Sequence, residues 1–302
     1  LPFTLSQSPP GAPMNPLGIH ALVWAGDLSP ASTRHVIERT RQAGYDLVEL
    51  SLHGPRLMDL ALTRDLLQEH GLGVGCSRGL TFEADVSSED PSVVARGLAL
   101  LQEGVDITAR LGGRYFGGIL YGAMAKYGHP CTPQGRRNAI EAVRRIADFA
   151  GERGVTLGLE VVNRYESNLL NTAAQALEFI DEVGQPHVCV HLDTYHMNIE
   201  EADLAAPVLA CGQRLGYVHI GENHRGYLGA GHIDFAQFFG ALAQIGYQGT
   251  VTFESFSSAI VNEQLSNALA IWRPMWEDGM DLALHARGFM ADGLASAQQA
   301  RA

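Results

Sequence analysis

The chain has 302 residues, enough for one α/β barrel of about 250 residues or two smaller domains. Hydrophobic residues make up 46% and charged residues 18%, a globular balance that can bury a large core. A net charge of −12 repels phosphate backbones and argues against nucleic acid as a partner, and the apolar runs are too short to cross a bilayer.

The first segment, LPFTLSQSPPGAP (1–13), has neither a basic start nor a long apolar run, so it does not read as a signal peptide. Met14 opens MNPLGIH, just before the first strand-like run. Residues 1–16 are expected to form an extension outside the fold, disordered or vector-derived. Residues 17–295 are then a single catalytic domain.

From there the pattern alternates. Strand-like runs are IHALVW (19–24), DLVELS (46–51), GVGCS (73–77), RYFGGILY (114–121), VTLGLE (155–160), VCVHLD (188–193), GYVHI (216–220) and TVTFE (250–254). Between them lie stretches of helical periodicity at 32–44, 64–71, 91–112, 137–154 and 172–184, several ending in glycine, with Asn171-Thr172 and Asp234 at capping positions. Eight alternations predict a closed (β/α)8 barrel rather than an open sheet. No Rossmann fingerprint follows the first strand, where AGDLSP (25–30) stands, and Gly71, Gly73 and Gly75 fall on the third strand rather than opening a helix. The irregular stretch AMAKYGHPCTPQG (123–135) is placed over the active site or at a subunit contact. Two extra helices follow the last strand, at 262–273 and 278–295. Their Trp272, Trp276, Phe289 and Met290 are expected to close the barrel bottom or build an interface. The final ASAQQARA is expected to fray. The cysteines Cys76, Cys131, Cys189 and Cys211 form no CxxC pair. They read as free thiols of a reduced, cytoplasmic protein.

Four of these strands end in a group that binds hard cations: Glu160, Asp193, His219 and Glu254. Taken singly, each has an ordinary explanation: an ion pair to Arg164, a helix cap, a core histidine, a rim charge. Together they occupy the same place on four successive strands, on the face where (β/α)8 barrels carry their active sites. Three carboxylates and one imidazole suit Mn²⁺, Co²⁺ or Mg²⁺, and four ligands on an octahedral ion leave two positions for adjacent substrate oxygens. A polarised ketone would then lose its α-proton more easily. Glu166, His196, Glu222 and Arg225 lie in the loops above the same rim, where a polyhydroxyl ligand needs polar partners.

In LEVVNRYESNLLNT (159–172), HLDTYHMNIEE (191–201), YVHIGENHRGYLGAG (217–231) and TFESFSS (252–258) the chain resembles the D-tagatose 3-epimerase family, which includes D-allulose (D-psicose) and L-ribulose 3-epimerases, of the xylose-isomerase-like barrel group. The resemblance extends from about residue 17 to 290 and is most specific in the second half. It implies that Glu160, Asp193, His219 and Glu254 hold a metal, usually Mn²⁺ or Co²⁺. It implies that Glu166, His196 and Arg225 hold the O1–O3 end of a ketose, and that Glu160 and Glu254 are the acid and base. Trp24, Cys76 and Gly117-Gly118 are expected near the far end of the sugar. A homodimer or homotetramer is also implied.

The expected reaction inverts C3 of a free ketose through a cis-enediolate. One glutamate removes the C3 proton and the other returns one from the opposite face, since a single base would restore the starting configuration. D-tagatose, D-allulose/D-fructose and L-ribulose/L-xylulose all fit the metal end. The alternative is an aldose–ketose isomerase on the same scaffold, which would move hydrogen between C1 and C2. An abasic-site endonuclease needs a basic groove and more histidines, and a silent sugar- or metal-binding protein has no need of two bases.

Overall fold

The computed structural model describes residues 15–54 and 57–301. The predicted strands become β1 (Leu17–His20), β2 (Leu47–Ser51), β3 (Gly73–Ser77), β4 (Tyr115–Gly118), β5 (Thr156–Glu160), β6 (Val188–Asp193), β7 (Leu215–Ile220) and β8 (Val251–Phe253). All pair in parallel, in sequence order, and β1 pairs with β8 to close the barrel. Two predicted strands stop three or more residues before their expected ends, and β8 stops one residue short of Glu254. IHALVW leaves the sheet at Ala21, where His20 Nδ1 accepts from Leu22 N and turns the chain into a 3₁₀ helix. RYFGGILY ends at Gly118, whose φ of +109° no other residue adopts readily.

The helices are α1 (Pro30–Gln42), α2 (Leu60–His70), α3 (Pro91–Arg110), α4 (Pro133–Gly151), α5 (Ala173–Val183), α6 (Thr194–Glu200), α7 (Ala205–Cys211), α8 (Phe235–Ile245), α9 (Glu263–Ala268) and α10 (Gly279–Arg301). Their ends follow local chemistry. Ser29, Asp90 and Thr132 cap α1, α3 and α4 ahead of a first-turn proline. Thr172 and Gln175 form a capping box, Asp234 caps α8, and Gly71 stops α2. No described helix is long and apolar enough to cross a membrane.

The expected domain limits move outward at both ends. Residues 1–14 lie outside the described residues. Asn15 and Pro16, assigned above to the extension, belong to the barrel. Asn15 is buried and donates to the carbonyls of Tyr247 (2.9 Å) and Gly249 (3.0 Å), and Pro16 O accepts from Val251 N. The tail expected to fray is helical to Arg301, because its alanines favour helix and Arg301 reaches the carbonyl of Ala243. The C-terminal segment also divides: α10 packs on α8, β1 and β8, while residues 262–276 run over the rim at the C-terminal ends of the strands.

Residues two apart on a strand share a face. Inside the barrel this pairs Gly158 with Glu160, His191 with Asp193, Tyr217 with His219 and Thr252 with Glu254. The lower members form the packed floor. Tyr115 and Tyr217 stack at 3.8 Å, Tyr115 Oη reaches His191 Nδ1 (2.9 Å), and Thr252 Oγ1 donates to Tyr217 Oη. A Cβ on Gly158 would collide with Tyr115 Oη, so that glycine makes room for the floor. The upper members form the site.

Candidate metal centre

Glu160, Asp193, His219 and Glu254 are almost wholly buried, and one ligand atom from each lies within 4.8 Å of all the others. Asp193 and His219 are direct partners in the β6–β7 register. His219 Nδ1 is 3.4 Å from Oε1 of both Glu160 and Glu254 and makes no hydrogen bond. Its Nε2 lies 2.8 Å from Glu49 Oε2 on β2. A ring that donates Nε2–H to a carboxylate presents Nδ1 as a lone pair, the usual arrangement of a metal-ligating histidine. An unpartnered buried nitrogen facing three carboxylates fits a divalent cation. Without one, burying that much like charge costs several kcal/mol per ion.

The ordinary alternatives resolve individually. Arg164 pairs with Glu200 (2.8 Å), not Glu160. Asp193 does cap α6, but with one oxygen: Oδ1 accepts from Tyr195 N (2.8 Å), and Oδ2 faces Arg225 Nη1 (3.1 Å). Arg225 Nη1 also reaches Glu254 Oε2 (2.7 Å), with its guanidinium stacked over Tyr195 and Phe256. Arg225 holds this position with φ +58°, a conformation that costs a non-glycine residue about 1 kcal/mol or more.

The two glutamates differ in their surroundings. Burial raises the Glu160 carboxyl to about 7; Glu254 and Asp193 push the same way and His219 pulls back. Burial also acts on Glu254, but His219, Arg225 and His20 outweigh it and hold that carboxyl below its usual range. His196 is driven down to about 3 by burial, against the pull of Asp193, and is neutral at physiological pH. Its Nδ1 accepts from Asn163 N (3.2 Å) and lies 2.8 Å from Asn163 Nδ2. Nε2 therefore carries the proton, 3.6 Å from Asp193 Oδ2, and is a donor aimed into the cavity. Asn163 also donates to Glu166 Oε1 (2.9 Å), and Ala125 N donates to Glu166 O, which pins the stretch after β4 against the site.

Glu166, His196 and Arg225 thus line the same cavity as Glu160, His219 and Glu254, with Gly118 and Met124. Trp24 and Cys76 do not. Trp24 Nε1 donates to Thr40 on α1, with its ring beside Gly279 at the start of α10. Along β3, Ser77 faces the cavity and Cys76 faces out toward Thr108 of α3, its thiol pushed up to about 12 by burial. Glu222 accepts from Asn223 N, Gly229 N and Ile233 N, so it organises its loop rather than binding ligand. Trp272 is 73% exposed beside Tyr195 and Arg225, at the top of the barrel, which excludes for it the bottom-closing role but not the interface given as the alternative. Sequence reasoning missed Glu49, His20 and Asn163. The lone charge in the apolar run LVEL was the available signal for Glu49.

A family model described as "Xylose isomerase-like TIM barrel" matches residues 37–282. The chain is 52% identical over 273 residues to an L-ribulose 3-epimerase of Methylomonas sp. (strain DH-1), covering 90% of this chain and 96% of the relative. It is 50% identical over 278 residues to a ketose 3-epimerase of Arthrobacter globiformis, covering 92% and 96%. Among solved structures it is similar to a D-allulose 3-epimerase from Methylomonas sp. in complex with D-allulose (TM-score 0.91, 51% identity, 92% of this chain and 96% of that one). It is also similar to an L-ribulose 3-epimerase (TM-score 0.93, 45% identity, 95% and 97%).

Proposed function

The chain belongs to the ketose 3-epimerases of the xylose isomerase-like TIM barrel family, and on that premise we propose that it interconverts free ketoses differing only at C3. The observation that carries this reading is the placement of Glu160 on β5 and Glu254 just after β8, each 3.4 Å from the same unpartnered His219 nitrogen. Two carboxylates approaching one point from separate strands can serve opposite faces of a substrate. A bound divalent cation would polarise the C2 carbonyl and stabilise the charge that develops on its oxygen.

The remaining work falls to the protein. Glu160 and Glu254 exchange protons with the two faces of C3, with the direction of reaction deciding which is base and which is acid. Positioned proton transfer of this kind contributes about 10²–10⁴-fold. His196 Nε2–H and the Arg225 guanidinium orient the O1–O3 end, with Glu166 beside them. Mn²⁺ is the proposed ion, with Co²⁺ or Mg²⁺ as substitutes, because three of four ligands are hard oxygens. L-ribulose/L-xylulose, D-allulose/D-fructose and D-tagatose are the proposed substrates. A single catalytic domain, a homodimer or homotetramer and a cytoplasmic location complete the proposal; the location is supported by cysteines that are all free.

The test is a ketose panel with added Mn²⁺, read by product analysis and by deuterium uptake at C3 in D₂O. A new ketose with C3 exchange is expected, and an aldose product would instead establish the isomerase. Glu160→Gln and Glu254→Gln should each lose at least about 10²-fold in kcat while folding normally. A wild-type rate in either variant would rule out the two-base scheme.

A further inference from the structure

Below the proposed catalytic ligands the barrel axis holds another group of metal-type donors. Glu160, His191 and His219 each offer one ligand atom within 4.8 Å of the other two. His191 is fully buried, stands opposite Glu160 in the β5–β6 register, and meets the His219 ring edge-on at 4.2 Å between centroids. Its Nδ1 lies 2.9 Å from Tyr115 Oη, while its Nε2 has no partner among the described residues. His219 Nδ1 is likewise unpartnered. Two buried imidazole nitrogens left open beside one carboxylate are an expensive arrangement unless something binds them.

We propose that Glu160, His191 and His219 form a second, deeper cation position that competes with the catalytic one. The inference rests on the metal reading above. Glu160 and His219 belong to both ligand sets, so the two positions exclude each other. They differ in donor chemistry: two imidazole nitrogens and one carboxylate below, one nitrogen and three carboxylates above. The lower set, three ligands rich in nitrogen, suits a four-coordinate ion of the Zn²⁺ type. The upper set suits six-coordinate Mn²⁺ or Mg²⁺. Tyr115 Oη, accepting from His191 Nδ1–H, would fix the ring with its Nε2 lone pair toward the ion. An ion drawn down to His191 takes Glu160 out of proton-transfer position, so zinc at this site silences the enzyme while manganese sustains it.

The experiment compares the full-length wild type with His191→Asn, both stripped of metal. Mn²⁺ is titrated first by calorimetry. Failure of the wild type to bind it would defeat the metal reading itself, before the deeper site is tested. Equal Mn²⁺ affinity and equal epimerase rate are expected in the two proteins. Zn²⁺ should then bind the wild type at least about tenfold more tightly than the variant. It should inhibit the Mn²⁺-loaded wild type reversibly against excess Mn²⁺, and leave the variant largely active. X-ray absorption at the zinc edge should count two imidazoles in the wild type and one in the variant. Equal zinc affinity and inhibition in both proteins would overturn the proposal. So would a loss of Mn²⁺ affinity as large as the loss for zinc. His191→Gln, checked for an unchanged melting temperature, repeats the comparison if the first variant does not fold.

Discussion

Glu160 and Glu254 are the same residue type at equal distance from one nitrogen, yet their protons are held differently. The carboxyl of Glu160 titrates at about 7, above its value of 4.5 in an unfolded chain, so deprotonating it in the folded protein is costly. That cost is absent at low pH and grows as pH rises through 7. Metal uptake must expel this proton, and the one that, against the effect of burial, Glu49 and Glu254 hold on His219, so affinity should fall by at least about tenfold per pH unit below 7. Mn²⁺ calorimetry at pH 6 and pH 8, in buffers of different ionisation enthalpy, would show the weaker binding and the released proton. Glu49 acts at one remove. Burial works against its charge, but His219 and His20 hold its carboxyl well below the usual range, and it in turn fixes the His219 tautomer. Glu49→Gln should weaken metal affinity about 10–100-fold with little change in fold, measured by calorimetry and circular dichroism. The four candidate ligands were legible in the sequence because each stands at or beside the end of an apolar strand. Glu49 was harder to read, because its partner lies 170 residues away.

At the scale of elements, a two-residue alternation on each strand separates floor from site, and short connections complete the rim. Residues 262–276 are anchored beside the site: Trp276 Nε1 donates to Ser255 Oγ (2.7 Å), Ser255 Oγ donates to the carbonyl of Arg225, and Ser257 Oγ donates to Trp276 O (2.6 Å). This chain of bonds links the segment to the strained Arg225 backbone. Trp276→Phe removes one bond and keeps most of the packing. It should cost about 1–2 kcal/mol in denaturant unfolding and raise KM, leaving metal affinity unchanged. The places of the strands along the chain and the helix caps were readable because they depend on residues close together in the sequence. The facing of Trp24 and Cys76 was misjudged for the opposite reason. Cys76 lies one place from the inward Ser77, and a single step along a strand reverses the side. Trp24 follows a strand that ends four residues earlier than its apolar run suggests.

For the whole molecule, the proposed ion, held by residues on β5, β6 and β7 and just after β8, would tie together half the barrel. Ligand binding to the folded state alone adds about 2.7 kcal/mol at a hundred times Kd. Removing metal with EDTA should therefore lower Tm by several degrees, and Mn²⁺ should restore it, as read by differential scanning fluorimetry. Glu160→Gln should lose most of that response. The sequence by itself determined the fold class, the places of the strands along the chain, the four candidate ligands and the absence of a dinucleotide fingerprint, because periodicity, capping and strand ends are local properties of the chain. Only the tertiary structure decided that Glu49 supports His219, that Asn163 fixes the His196 proton, that residues 262–276 lie over the rim, and that His191 opens toward the axis. Each of these depends on barrel closure, which brings distant residues within hydrogen-bond reach and fixes which face of every strand looks inward.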